Sequence, residues 1–161
     1  MPFLFDTNIF LEILLDQDKK SLAKKVLTDN IKEIFISDFS LHSIGIILLK
    51  QKKFVVFNAF LSDIVPHATI LSLPKNKYTD LNVFSEKHSM DFDDSYQVLT
   101  AKEYNLDIIT MDEDFKRAKD FIGVQFLWLS IADGRFSIFD GINRKSTFVL
   151  CHLSPDLLGK C

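Results

Sequence analysis

The chain has 161 residues, of which 47% are hydrophobic and sixteen are Phe, and its formal net charge is −3. This length and composition predict one folded domain with its own hydrophobic core. The charge argues against a protein that binds nucleic acid by neutralising many phosphates, because such proteins carry a strongly basic face. It leaves open a metal-dependent nuclease, in which bound cations meet the phosphates.

The cysteines and the hydropathy of the chain indicate where in the cell the protein acts. Cys151 and Cys161 lack the spacing of a zinc site, and we interpret them as free thiols. No apolar run approaches the roughly 18 residues of a membrane span, and no basic stretch precedes an apolar run near Met1. We therefore expect a cytoplasmic protein without membrane contact.

Strands and helices are predicted to alternate along the chain. The apolar residues 2–5 form a first strand that stops at Asp6, and Ser37 and Asp38 offer N-caps to a helix that follows the second strand. The predicted strands are 2–5, 34–36, 70–73, 107–110 and 124–128, and the predicted helices are 18–30, 38–50, 54–64, 78–88 and 94–104. This alternation predicts a parallel sheet covered on both faces.

The regular pattern ends at about Ser130. Beyond it, Gly-containing turn sequences replace the alternation of strands and helices. We therefore divide the chain into a domain of residues 1–130 and a C-terminal extension, residues 131–161, of unknown role.

Three acidic segments lie far apart in the sequence, and two of them follow a predicted strand. They begin at Asp6, Asp91 and Asp112. The carboxyl ends of parallel strands open into the crevice where α/β proteins bind ligands, so these acids are expected to converge. Converging carboxylates repel one another unless a cation neutralises them. A site made only of oxygen ligands favours Mg²⁺ or Mn²⁺.

Four motifs carry a family resemblance. Asp-Thr-Asn begins at Asp6, Ile-Ser-Asp-Phe-Ser-Leu-His begins at Ile36, Asp-Phe-Asp-Asp-Ser-Tyr-Gln begins at Asp91, and Ile-Ile-Thr-Met-Asp-Glu-Asp-Phe begins at Ile108. In this order they resemble a PIN-domain protein of the VapC toxin type, over roughly residues 1–130. The resemblance implies a three-layer α/β/α sandwich with a central parallel sheet and Mg²⁺- or Mn²⁺-dependent ribonuclease activity on RNA. It also implies a small antitoxin partner and a homodimer, for which the apolar helix 54–64 is a candidate surface.

The same resemblance assigns roles to individual residues. Asp6, Asp94 and Asp112 match the metal-binding acids, and Asp114 matches an auxiliary catalytic acid. Two further positions match polar residues that line the pocket and contact substrate, namely Asn8 and Thr110.

One position departs from the family pattern. Families of this type place a Glu six residues after the strand-end Ser37, where this chain has Ser43. A neutral hydroxyl in place of a negative charge weakens a hard-oxygen metal site. Asp38 or Asp93 could take its place. The departure leaves open a degenerate PIN domain that binds protein or RNA without cutting it.

Other interpretations of the acids remain open at this point. Asp6 could cap a helix that follows the first strand, Asp94 could compensate a helix dipole, and Asp112 and Asp114 could be solvated turn residues. A phosphatase that forms an aspartyl-phosphate on Asp6 is a third class of function. Such enzymes need a second Asp two residues later as general acid, and this chain has Asn8 there.

Overall fold

A computed structural model describes residues 2–127, and the extension predicted from residue 131 onward lies outside the described residues. Its central sheet has five strands: β1 (Phe3–Phe5), β2 (Ile34–Ser37), β3 (Ala68–Leu71), β4 (Asp107–Thr110) and β5 (Val124–Phe126). All neighbouring strands are parallel, and their order is β3-β2-β1-β4-β5. The predicted α/β class with a parallel sheet is confirmed.

Within residues 2–127, six α-helices cover the sheet. They are α1 (Thr7–Leu14), α2 (Lys20–Asp29), α3 (Asp38–Lys50), α4 (Phe54–Asp63), α5 (Tyr78–His88) and α6 (Phe92–Glu103). Short 3₁₀ turns occupy Val65–His67, Lys75–Lys77 and Glu113–Ala118. Helix α1 was absent from the sequence prediction, and β3 lies two residues earlier than predicted. None of the helices in residues 2–127 is long and apolar enough to cross a membrane.

The core consists of two layers, one on each face of the sheet. β1 shows how the strands divide between them, because Leu4 packs in one cluster and the adjacent Phe5 packs in the other. The cluster around Phe5 collects the buried faces of α1, α2, α3 and α4, including Phe10. The cluster around Leu4 collects α5 and α6, including Val98. This arrangement is the three-layer α/β/α sandwich expected from the motifs.

The strand order reverses beside β1. From β1 the chain adds β2 and then β3 on one side, whereas β4 and β5 lie on the other side. Such a switch point leaves a crevice at the carboxyl ends of the two adjacent strands. Here the crevice lies where β1 ends before Asp6 and β4 ends at Thr110.

Helix α3 begins directly at the end of β2 because Ser37 caps it. Its side-chain oxygen accepts a hydrogen bond from the backbone N–H of Ser40 at 2.9 Å. We expect Ser37→Ala to lower the free energy of unfolding by about 1 kcal/mol, the usual cost of losing an N-cap. Urea denaturation measures this loss. Ser62→Ala, a change at an exposed serine of α4, is the control, and an equal effect of both substitutions would contradict the prediction.

Candidate active site

Asp6 lies at the switch point and is almost completely buried, with 2% of its surface exposed. Its backbone N–H donates to the carbonyl oxygen of Ile109 in β4, which ties the end of β1 to that strand. Its carboxylate accepts one hydrogen bond from Nε2 of Gln97 at 3.0 Å and another from Oγ1 of Thr110 at 2.6 Å. The two bonds join β1, β4 and α6 at one point.

The buried position explains the electrostatics of Asp6. Burial is the largest cause and raises the pKa of its carboxyl group, and the nearby charge of Asp112 raises it further. The hydrogen bonds from Thr110 and Gln97 act in the opposite direction, because they stabilise the ionised form. Asp6 is the N-cap residue of α1 by position, but its side chain makes no capping hydrogen bond. Capping of α1 therefore does not account for the hydrogen bonds of this carboxylate to Thr110 and Gln97.

A short chain of hydrogen bonds positions the acids that follow β4. Oγ1 of Thr110 accepts from the backbone N–H of Asp112 at 2.9 Å while it donates to Asp6. Oδ1 of Asp112 accepts from the backbone N–H of Asp114 at 2.9 Å and caps the 3₁₀ turn that follows. Asp114 is exposed, and its carboxylate lies 3.2 Å from the guanidinium of Arg117. Thr110 thus links the buried acid to the acids at the rim.

Asp94 brings the second acidic segment to the same place. It lies in the first turn of α6 and is half-buried. Its pKa is raised to about 7, first by burial and then by the negative charges of Asp93, Asp6, Asp112 and Asp114. The structure therefore brings together the four acids that the sequence singled out, within reach of one another's charge.

This donor set fits a hard divalent cation. All four groups are carboxylates, and Asp94 feels repulsion that a cation would remove. Within residues 2–127 no three His, Cys, Asp or Glu side chains are grouped closely enough to hold a metal ion as they stand. Mg²⁺ is commonly held through one or two carboxylates and keeps several waters, so it does not require a closed cage.

The remaining positions from the motifs make no hydrogen bond to the four acids among the described residues. Asn8 lies half-buried in the first turn of α1, and Ser43 lies half-buried on α3; neither side chain makes a hydrogen bond among the described residues. Asp38, a possible replacement for the missing Glu, accepts instead from the hydroxyl of Tyr96 at 2.8 Å and from the backbone N–H of Phe39. Moving Asp38 into the site would break these bonds.

Gln97 is the site residue that the sequence analysis missed. It follows Asp94 by three positions on α6, so both side chains lie on the same face of the helix. The spacing was visible in the sequence. Its meaning was not, because nothing in one sequence shows that this face of α6 packs against the end of β1.

The fold and site together define an α/β protein with acidic side chains gathered at the switch point of a parallel sheet. The family model of the PIN domain matches residues 3–120, and the chain belongs to this family. No curated protein matches the chain.

Three solved structures are similar in fold. FitAcB from Neisseria gonorrhoeae has a TM-score of 0.62 and 21% sequence identity, and the match covers 78% of this chain and 98% of that chain. A toxin-antitoxin complex from Klebsiella pneumoniae has a TM-score of 0.62 and 19% identity, with 78% and 97% covered. PAE2754 from Pyrobaculum aerophilum has a TM-score of 0.59 and 12% identity, with 80% and 91% covered.

Proposed function

We propose that this protein is a metal-dependent endoribonuclease and the toxin of a toxin–antitoxin pair. Membership of the PIN family supports a nuclease. The observation that carries the proposal is the electrostatic repulsion of Asp94 by Asp6, Asp112 and Asp114, which raises its pKa. Holding these negative charges together costs free energy unless a cation neutralises them.

Each residue of the proposed site has its own role. Asp6, Asp94 and Asp112 hold Mg²⁺ or Mn²⁺, which when bound stabilises negative charge on a phosphate and lowers the pKa of a water molecule. Thr110 orients Asp6 through its hydrogen bond, and Asp114 orients the attacking water at the exposed rim. Asn8, whose amide has no hydrogen-bond partner in residues 2–127, donates to the RNA phosphate.

Partners follow from the proposed class. Two structures of similar fold are a toxin-antitoxin complex and FitAB bound to a DNA fragment, which supports a small antitoxin for this chain. An apolar surface on α3 and α4 suits the proposed homodimer, because four large side chains there are 42–73% exposed: Ile46, Leu49, Phe54 and Val55. We place the protein in the cytoplasm, where its RNA substrate lies.

RNA cleavage tests the proposal. We expect the purified protein to cut single-stranded RNA with Mg²⁺ or Mn²⁺, and to stop when EDTA is added. Asp112→Asn should lower the rate at least 100-fold, about 2.7 kcal/mol, because it removes a carboxylate from the site. Asp120→Asn removes an exposed carboxylate outside the site and should leave the rate unchanged. No cleavage by the unmodified protein, or equal loss in both variants, would contradict the proposal.

Ser43 supports a second candidate, a degenerate PIN domain that binds protein or RNA without cutting. This position carries no charge, and residues 2–127 contain no ready-made metal cluster. Calorimetric titration with Mn²⁺ separates the two candidates, since a degenerate site should show no heat of binding at millimolar ion. The aspartyl-phosphate mechanism has no support, because Asp6 is buried and Asn8 occupies the position of its general acid.

A further inference from the structure

Gln97 places a polar atom without a partner beside the acidic site. The side chain is 2% exposed, and its Nε2 donates to Oδ1 of Asp6 at 3.0 Å. Its Oε1 is fully buried and accepts no hydrogen bond from the residues that the structure describes. A buried carbonyl oxygen left unpaired is costly, and such groups are uncommon in folded proteins unless a ligand, ion or water satisfies them.

The orientation of this amide is fixed by chemistry. Nε2 of Gln97 donates to Asp6 in the structure, and a carboxylate that holds a cation is ionised and only accepts hydrogen bonds, so the NH₂ end is the one that faces Asp6. Oε1 therefore does not point at the carboxylate of Asp6. It still lies near that carboxylate, because Oε1 and Nε2 belong to the same amide group. Rotating the amide would satisfy nothing, because it would set two acceptor oxygens against each other.

Oxygen atoms of this kind bind hard cations. Amide carbonyls of Asn and Gln serve beside carboxylates in such sites. The motifs led us to expect a Glu at Ser43, so the site has one carboxylate fewer than the family pattern. Gln97 shares the α6 face of Asp94 and already touches Asp6.

We propose that Gln97 belongs to the metal site: Nε2 holds Asp6 in place, and Oε1 is a neutral ligand to the cation that compensates for Ser43. This inference rests on the proposed metal dependence and adds a ligand to it. It also gives the pocket a lower total charge than three carboxylates and a Glu would have.

Thr100 supplies a matched comparison. It lies on the same helix, is fully buried, and its Oγ1 likewise has no partner among the described residues. Its Oγ1 therefore makes no hydrogen bond to Asp6. If the unpaired buried oxygens only reflected how α6 packs, substitutions of Gln97 and Thr100 would have the same effect on Mn²⁺ binding.

Calorimetric titration of the full chain with Mn²⁺ tests the inference. We expect Gln97→Leu to weaken Mn²⁺ binding at least tenfold and Gln97→Glu to tighten it at least tenfold, because a carboxylate is the stronger ligand. Thr100→Val should stay within twofold of the unmodified protein. Without metal, Gln97→Glu should melt at a lower temperature than the unmodified protein, since two carboxylates then face each other.

The outcomes separate this inference from the proposed function. If the unmodified protein binds Mn²⁺ and Gln97→Leu and Gln97→Glu both stay within twofold of it, Gln97 is not a ligand and the nuclease proposal stands. If both substitutions weaken binding equally, Gln97 only positions Asp6, and the ligand role is overturned. If the unmodified protein binds no Mn²⁺, the metal site and the ligand role fail together. Should Gln97→Glu not fold, binding by Gln97→Leu within twofold of the unmodified protein still overturns the ligand role.

Discussion

Asp6→Asn is expected to lower the rate of RNA cleavage by about 1000-fold, which corresponds to ~4 kcal/mol of transition-state stabilisation. The substitution removes one negative charge from the most buried acid of the site and keeps its shape. The remaining carboxylates are closer to the surface, and Asp114 is partly compensated by Arg117. They cannot replace a charge that lies at the end of β1.

The same substitution should leave the fold intact. Asp6 accepts from Gln97 and Thr110, and an Asn amide can keep the first bond if the amide of Gln97 turns over and offers its unpaired Oε1. Removing a buried charge also removes a desolvation cost. We therefore expect a free energy of unfolding no lower than that of the unmodified protein. Circular dichroism and urea denaturation measure it.

A matched control separates charge from packing. Asp29→Asn removes an acid that pairs with Lys25 on the opposite side of α2 from the core, and it should preserve cleavage. Cleavage by Asp6→Asn within twofold of the unmodified protein would show that Asp6 has no part in the reaction. Loss of cleavage together with loss of the folded state would show a structural role only.

The strands next to the site could be predicted because their signals are local. Ile34–Ser37 and Asp107–Thr110 are short apolar runs, each followed by polar residues that begin a helix or turn. Their parallel pairing follows from the alternation with helices. The convergence of Asp6 and Asp112 then follows from topology, because the ends of β1 and β4 meet at one edge of the sheet.

What the sequence could not supply was the pairing between side chains. Helix α1 directly follows β1 with one residue between them, and an apolar run of this kind does not show where a strand ends and a helix begins. The hydrogen bond between Gln97 and Asp6 joins residues 91 positions apart. It depends on how α6 rotates against the sheet, which tertiary packing decides.

Asp94→Asn is expected to make the metal-free protein more stable at pH 8 by about 1–2 kcal/mol, a value reduced for the screening of a half-exposed group. The pKa of Asp94 is raised to about 7 by burial and by neighbouring carboxylates. Below pH 3.8 the folded and unfolded chains both keep the proton. Between pH 3.8 and 7 the unfolded chain releases it and the folded chain does not, so stability falls as the pH rises.

The neutral amide avoids this loss, although it gives up a favourable interaction with the N-terminus of α6 worth ~0.3–1 kcal/mol. Asp80, at the third position of α5, matches Asp94 in its helix and is exposed, so Asp80→Asn should not stabilise. Urea denaturation at pH 4 and pH 8 should show the advantage of Asp94→Asn only at pH 8. Mn²⁺ at 100 times its Kd should stabilise the unmodified protein by about 2.7 kcal/mol and reverse the order. An advantage that is equal at both pH values would mean that the raised pKa of Asp94 is not its cause. An advantage that persists with Mn²⁺ would mean that Asp94 does not bind the cation.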